Sequence, residues 1–186
     1  NYADYQTNTA FGNRYGINGR AWLTSWGVSG MIDWTFSDTL SIKSITAYRN
    51  TNTDFGADGD ASPLGLSTPT IDLTIKQFTQ ELRLNGSIAD DLVQFTVGGF
   101  YLKTNGISYG RTNLVLPVGF SPGGPIFARN EFIALNLTDS RSAAAFGTII
   151  VKPTDKLTLT GGLRYTDVKK TFVYGQYTPD FSAPTL

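Results

Sequence analysis

Five ionisable residues recur on one side of segments in which polar and apolar residues alternate. They are Lys43, Arg49, Glu81, Arg83 and Arg164. Basic and acidic side chains on the same face of a strand can pair with each other, hold water, or contact a charged ligand that passes along the surface. We expect hydration and ion pairing to be their main role, with direct contact to a ligand as the alternative.

The sequence lacks the residues that most catalytic sites use. It contains no His and no Cys, which removes Ser–His and Cys–His catalysis and thiolate metal sites from this chain. We therefore expect no catalytic residue, no cofactor and no metal site, and no enzymatic activity. The 15 basic residues balance the 15 acidic ones, which argues against a nucleic-acid partner.

Three acidic residues alternate with Gly in the segment DFGADGD: Asp54, Asp58 and Asp60. This alternation resembles a calcium loop with oxygen ligands, but the Glu that closes such a loop is missing. The segment is predicted to be a solvated polar loop, in which these carboxylates are candidates for contact with a ligand.

A second group of candidates lies in or beside the Gly- and Pro-rich segment 110–136, which is predicted to be a long loop. The candidates are Tyr109, Arg111, Phe120, Phe127 and Arg129. The two Arg residues could bind an anionic ligand, and the three aromatic residues could pack on an apolar one. The alternative is that the aromatic residues only pack the loop against itself.

Strands are the elements that must position these residues. In the segment 77–103 apolar and polar residues alternate on both sides of a polar turn formed by residues 85–91, which predicts a long antiparallel hairpin. No segment has the period of a helix. The predicted strands cover about 21–36, 40–54, 72–85, 92–109, 137–151 and 156–176.

Short and long connections alternate along the chain. Short turns are expected near residues 38, 88 and 154, and long loops at 56–71 and 110–136. This order puts all short turns at one end of the sheet and all long loops at the other, as in transmembrane β-barrels. The predicted fold class is therefore all-β, an antiparallel segment of a transmembrane β-barrel.

Aromatic residues recur at fixed distances along the apolar sides. Tyr48, Tyr101 and Tyr165 each follow the first apolar residue of a strand by 8 residues. In a strand tilted by about 40°, that separation spans ~20 Å along a barrel axis, close to the ~25 Å apolar band of such barrels. The predicted membrane girdles contain these three Tyr residues together with Trp22, Trp26, Trp34 and Phe36.

Six strands are too few to close a membrane barrel, because single-chain bacterial barrels have at least eight. We expect the first and last strands to pair with strands outside this sequence, because an open edge in lipid leaves backbone groups without partners. An oligomeric barrel, to which several chains contribute strands, is the alternative.

Three segments resemble the barrel of TonB-dependent outer-membrane receptors, most closely those for siderophores and iron complexes. The segments are SIKSITAYRNTNTDFGADGDASP at 41–63, QFTQELRLNG at 77–86 and DKLTLTGGLRYT at 155–166. In this order and spacing they are fairly specific, and the resemblance extends from about Gly19 to Lys170.

The resemblance implies a 22-stranded barrel that is occluded by an N-terminal plug domain, which binds TonB. It also implies residence in the bacterial outer membrane, contact with its lipid, and energy-dependent uptake of a ferric siderophore or a similar scarce nutrient. We expect this chain to be roughly a quarter of such a receptor, without the plug. The rival hypotheses are a passive porin, an oligomeric barrel, a soluble β-sandwich that binds a partner, and an outer-membrane hydrolase.

Overall fold

Strands form wherever apolar and polar residues alternate. The computed structural model describes residues 20–57, 59–60, 66–89 and 92–177. In this part of the chain six strands pair antiparallel with their sequence neighbours in a single sheet, which confirms the predicted fold class. They are β1 (Arg20–Ser37), β2 (Leu40–Gly56), β3 (Ser67–Ile88), β4 (Val93–Ser121), β5 (Gly124–Thr154) and β6 (Leu157–Tyr177).

The predicted long loop at 110–136 is wrong, because that segment is a β-hairpin. β4 and β5 have 29 and 31 residues and meet at the two-residue turn Pro122–Gly123. Two local features accommodate the residues that predicted a loop. A register shift between Pro117 and Gly119 interrupts the ladder, and Gly124 takes a φ of 120° beside the turn, a conformation that suits Gly.

The other connection that we expected to be long is also shorter, because β3 already begins at Ser67. The ladder continues from β2 into this connection, where the Gly59 N–H donates to the Ser67 carbonyl at 2.8 Å. Asp58 and residues 61–65 lie outside the described residues. β1, β2 and β6 begin and end within two residues of their predicted bounds.

The register puts the apolar sets of the strands on one face of the sheet. Trp34 of β1 pairs with Ile42 of β2, which pairs with Leu84 of β3, and Leu84 pairs with Val97 of β4. The same row continues through β5 to Leu163 of β6. We call this side the apolar face and the opposite side the polar face.

The strands are tilted relative to the line that joins the equivalent Tyr residues of successive hairpins. The row of paired residues that contains Tyr101 crosses β3 at Gln80 and β2 at Thr46, which is two residues from Tyr48. The row that contains Tyr165 crosses β4 at Gly99, which is two residues from Tyr101 in the same direction. Two residues at ~3.3 Å over two strand spacings of ~4.8 Å give a tilt of roughly 35°. An eight-strand barrel with the same shear of one residue per strand is tilted by about 36°.

The sheet is one layer and has almost no core of its own. Among the described residues, the only buried apolar side chains are Ile133 and Ala144, whereas Leu163 is 82% exposed and Val97 is 54% exposed. A β-sandwich needs a second sheet packed about 10 Å away, and the described residues form only one sheet.

No helix that could cross a membrane occurs in the described ranges of the chain.

The face assignment predicts opposite outcomes for two neighbouring substitutions. Val97 lies on the apolar face midway between Val93 and Tyr101, and Thr96 lies on the polar face. Val97→Arg would place a charge near the middle of the bilayer at a cost of about 2–4 kcal/mol, so we expect impaired assembly in the membrane. Thr96→Arg should assemble normally. The measurement is the heat-modifiable electrophoretic shift of the folded protein, and equal shifts for both variants would contradict the assignment.

Candidate functional site

A band of ionisable and aromatic side chains crosses the polar face near the end where the short turns lie. Its central row runs across the six strands through Asp33, Lys43, Arg83, Gly98, Phe146 and Arg164. Glu81 and Phe100 occupy the next row. The register thus brings four of the five residues predicted on the polar face into this band, and we call it the charged band.

Each cation in the first half of the band is paired with a separate acid. Lys43 and Arg83 lie directly opposite each other, an arrangement that is unfavourable for like charges. The Lys43 Nζ lies 2.9 Å from Asp33 Oδ2 on the other side, and the Arg83 Nε contacts Glu81 Oε1. These pairs are partly exposed, and such pairs contribute only about 0–1 kcal/mol to stability. Their main effect is to fix where charge lies on the polar face.

Arg164 completes the band by packing against two aromatic rings. Its guanidinium carbon lies 5.6 Å from the centre of the Phe100 ring and 5.7 Å from that of Phe146. Its Nε also donates to the Thr166 hydroxyl at 3.2 Å. Both ring distances are within the range of cation–π attraction. The guanidinium is therefore oriented without a carboxylate and keeps donors for another partner.

Gly98 makes room for the aromatic part of the band. A Cβ at this position would lie 2.5 Å from Phe146 Cζ and 2.7 Å from the Leu82 carbonyl oxygen. The second contact is with backbone in a paired strand, which cannot shift without disturbing the ladder. The Phe146 ring therefore lies over Gly98 because this residue has no side chain.

Arg49, the fifth predicted residue, lies further from the turns, beside a shallow depression of about 500 Å³. The polar-face residues around it are small or uncharged: Ser25, Gly27, Ser29, Ala47, Gln77 and Thr79. Gly27 lies directly opposite Arg49, where a Cβ would come 2.9 Å from the Tyr48 carbonyl oxygen. The depression is an open, polar surface with one cation, suited to transient contact with an anionic or hydrogen-bonding molecule.

Below the charged band the polar face carries hydroxyl and amide groups. A second concavity of about 370 Å³ lies there, and it includes Ser41, Asn85, Thr96 and Thr148. The Thr96 hydroxyl donates to Asn85 Oδ1 at 2.9 Å. The polar face is thus a surface that water wets from the turn end up to Arg49.

The outer candidates are not gathered into one cluster. Arg111 contacts Glu131, and Arg129 Nη2 donates to Asn113 Oδ1 at 3.0 Å. Through the register these four residues and Tyr109 lie on the same face as the apolar set, further from the short turns than Tyr101. Phe120 and Phe127 are exposed near the tip of the β4–β5 hairpin. A ligand role for these residues stays a prediction.

The acidic candidates are divided by the fold. Asp54 lies on β2 opposite Asp72 of β3, whereas Asp60 accepts the backbone N–H of Leu66 at 3.1 Å and that of Ser67 at 3.4 Å, and so helps to close the connection. Asp58 lies outside the described residues. Among the residues that the structure describes, no group of three or more acidic, His or Cys side chains is placed to hold a metal ion.

Sequence reasoning missed the partners of the predicted residues. Asp33, Phe100, Phe146 and Glu131 were not among the candidates, although each contacts one that was. The available signal was weak, since Asp33 is the acidic residue on the polar side of β1 and the two Phe residues interrupt an otherwise small and polar pattern. Pairing between strands far apart in sequence decides these contacts, and the register was not known.

The family model "TonB dependent receptor-like, beta-barrel" matches residues 1–184. The chain belongs to this family. Among solved structures it is similar to the crystal structure of the ferric yersiniabactin uptake receptor FyuA from Yersinia pestis, with 18% identity, a TM-score of 0.62 and 89% of this chain covered. No curated protein matches the sequence.

TonB-dependent receptor barrels are outer-membrane proteins, and this chain corresponds to 23% of the FyuA chain. At this level of identity the likeness to FyuA shows the shared fold alone. Within the family fold, the six strands supply a section of barrel wall with one apolar and one polar face.

Two adjacent Gly residues allow a matched test of the charged band. Gly98→Ala should destabilise the folded receptor by about 1–3 kcal/mol, because the new methyl group collides with paired backbone and with Phe146. Gly99→Ala should be close to neutral, since its Cβ would only reach the Ala144 carbonyl oxygen at 3.7 Å. The measurement is the denaturant midpoint of the receptor in detergent, and equal midpoints for the two variants would contradict the packing described for Gly98.

Proposed function

We propose that this chain is part of the wall of a receptor that imports a ferric siderophore or a similar scarce nutrient across the bacterial outer membrane, driven by TonB. The observation that carries the proposal is the division of the sheet into one apolar and one polar face, tilted as in a closed barrel. In outer-membrane barrels the apolar face meets lipid and the polar face lines the interior.

The aromatic residues of the apolar face support this orientation. Trp26 and Tyr48 form a tilted ring pair with centres 5.5 Å apart, and Trp34 and Phe36 form another at 4.4 Å near the short turns. Trp22 is 71% exposed further along β1. Together with Tyr101 and Tyr165 they border an apolar zone, as aromatic girdles do at membrane interfaces.

The polar face has the charge and exposure expected of a barrel wall past which a charged ligand is transported. Its ionic groups are partly exposed and mostly paired, and the band of Lys43, Arg83 and Arg164 with Asp33 and Glu81 carries one excess positive charge. A surface of this kind attracts an anionic complex weakly, which favours transport of the complex through the barrel over tight binding to the wall. A plug domain packed inside the barrel would meet the same surface.

The experiment is uptake of radiolabelled iron by cells that produce the intact receptor, with and without functional TonB. The iron is supplied separately as citrate, as a catecholate siderophore complex and as a hydroxamate complex. We expect TonB-dependent uptake of at least one complex. A receptor that is folded in the outer membrane and transports none of them above the empty-vector level would overturn the assignment to iron.

Removing charge from the polar face should slow transport without removing the receptor from the membrane. Arg83→Gln and Arg164→Gln are each expected to lower the uptake rate severalfold, because they reduce the attraction for an anionic complex. Lys152→Gln, near a short turn, is the control and should transport at the normal rate. Receptor abundance in outer-membrane fractions is measured in parallel, and unchanged uptake by both Arg variants at equal abundance would rule out a role for the band in passage.

A further inference from the structure

Three cations form a row across the apolar face of β4, β5 and β6. Lys103 lies directly opposite Arg141, and Arg141 lies directly opposite Lys169. We call these three residues the cationic row. Side chains at such positions on neighbouring strands are about 5 Å apart at Cβ, so the row spans about 10 Å.

The cationic row lies just beyond the aromatic residues that border the apolar zone. Lys103 follows Tyr101 by two residues, and Lys169 follows Tyr165 by four. Each residue of a strand tilted by roughly 35° rises ~2.7 Å along the barrel axis, so the row lies roughly 5–11 Å beyond the Tyr residues. This is the depth of lipid headgroups, which occupy the zone outside the ~30 Å hydrocarbon core.

The nearby acids only partly neutralise the row. Asp139 is bound on both sides, since Arg141 Nε donates to its Oδ1 at 3.1 Å and Asn105 Nδ2 donates to its Oδ2 at 2.8 Å. That contact uses one of the five N–H donors of the guanidinium. Within the described ranges, neither Lys103 nor Lys169 forms an ion pair. Asp167 is the other acid close to the row on this face, and Lys76 adds a further cation on β3.

We propose that the cationic row binds the phosphate groups of an anionic lipid headgroup in the leaflet that surrounds the barrel. Arg141 supplies a planar fork for a phosphate oxygen pair, and the two Lys residues supply flexible point charges on either side. The complementary charge is at headgroup depth and on the face that meets lipid, which favours a membrane lipid over free phosphate. The proposal rests on the membrane orientation proposed above.

The test is binding of pyrene-labelled phosphatidylglycerol to the intact receptor in neutral detergent, with unlabelled lipids as competitors. The variant K103Q/R141Q/K169Q is expected to bind at least about tenfold more weakly than the wild type, because each cation near a lipid surface adds to the attraction. The control K152Q/K156Q/K170Q removes the same charge from the short-turn end and the polar face. It should bind like the wild type.

Phosphatidylglycerol should displace the probe, and phosphatidylcholine should not. Equal affinity of the triple variant and the wild type would overturn the proposal. Complete displacement of the probe by millimolar inorganic phosphate would also overturn it, because the site would then be one for free phosphate. Heat modifiability of each variant reports its folding. If the triple variant does not fold, K103Q and K169Q are tested singly, and wild-type binding by both would overturn the proposal.

This outcome is independent of the transport assay. Loss of lipid binding in the triple variant with no uptake of iron by the wild type would support the lipid site and contradict the transported substrate. Normal uptake of iron, together with unchanged lipid binding in the triple variant, would support the transported substrate and contradict the lipid site. A wild-type receptor absent from outer-membrane fractions would contradict both.

Discussion

Backbone pairing between neighbouring strands is the interaction on which the rest of this structure depends. A backbone N–H or C=O that faces lipid without a partner costs several kcal/mol, and the sheet has almost no buried core to compensate for gaps. The ladders therefore run nearly without interruption for the length of every hairpin. They also join hairpins at their turns, where the Ser87 N–H donates to the Thr39 carbonyl at 2.9 Å and the Lys152 N–H to the Leu92 carbonyl at 2.8 Å.

An uninterrupted ladder fixes the register, and the register determines every side-chain surface. A slip of one residue would exchange the two faces of a strand. The register also brings the polar residues inside the apolar zone into contact with one another. Ser44, Thr46 and Gln80 lie on the apolar face, where the Thr46 hydroxyl donates to Gln80 Oε1 and Gln80 Nε2 donates to Ser44 Oγ at 3.0 Å. Pairing among themselves reduces the cost of exposing these groups to lipid.

The sequence predicted what depends on period two and could not predict what depends on pairing across the sheet. The strands, the apolar sides and the polar side of Lys43, Arg83 and Arg164 follow from alternation within each strand. The extension of β4 and β5 does not, because Gly and Pro are read as loop residues when their partner strand is unknown. A shift at Pro117 and a two-residue turn at Pro122 were enough to keep that segment paired. The contacts of Arg164 with Phe100 and Phe146 likewise needed the register.

The same register places the charged residues of the two faces at different distances from the short turns. On the polar face Lys43 and Arg83 are paired with acids and Arg164 packs on aromatic rings, so this surface carries one excess positive charge and stays accessible to water. On the apolar face the charges begin beyond Tyr101 and Tyr165, and the cations there outnumber the acids. In a soluble protein the apolar face of such a sheet would be packed against a second layer, and the described residues form only one sheet. A sheet with lipid on one side needs its outward charges at headgroup depth or beyond it, and at headgroup depth the cationic row faces the phosphates of the lipid.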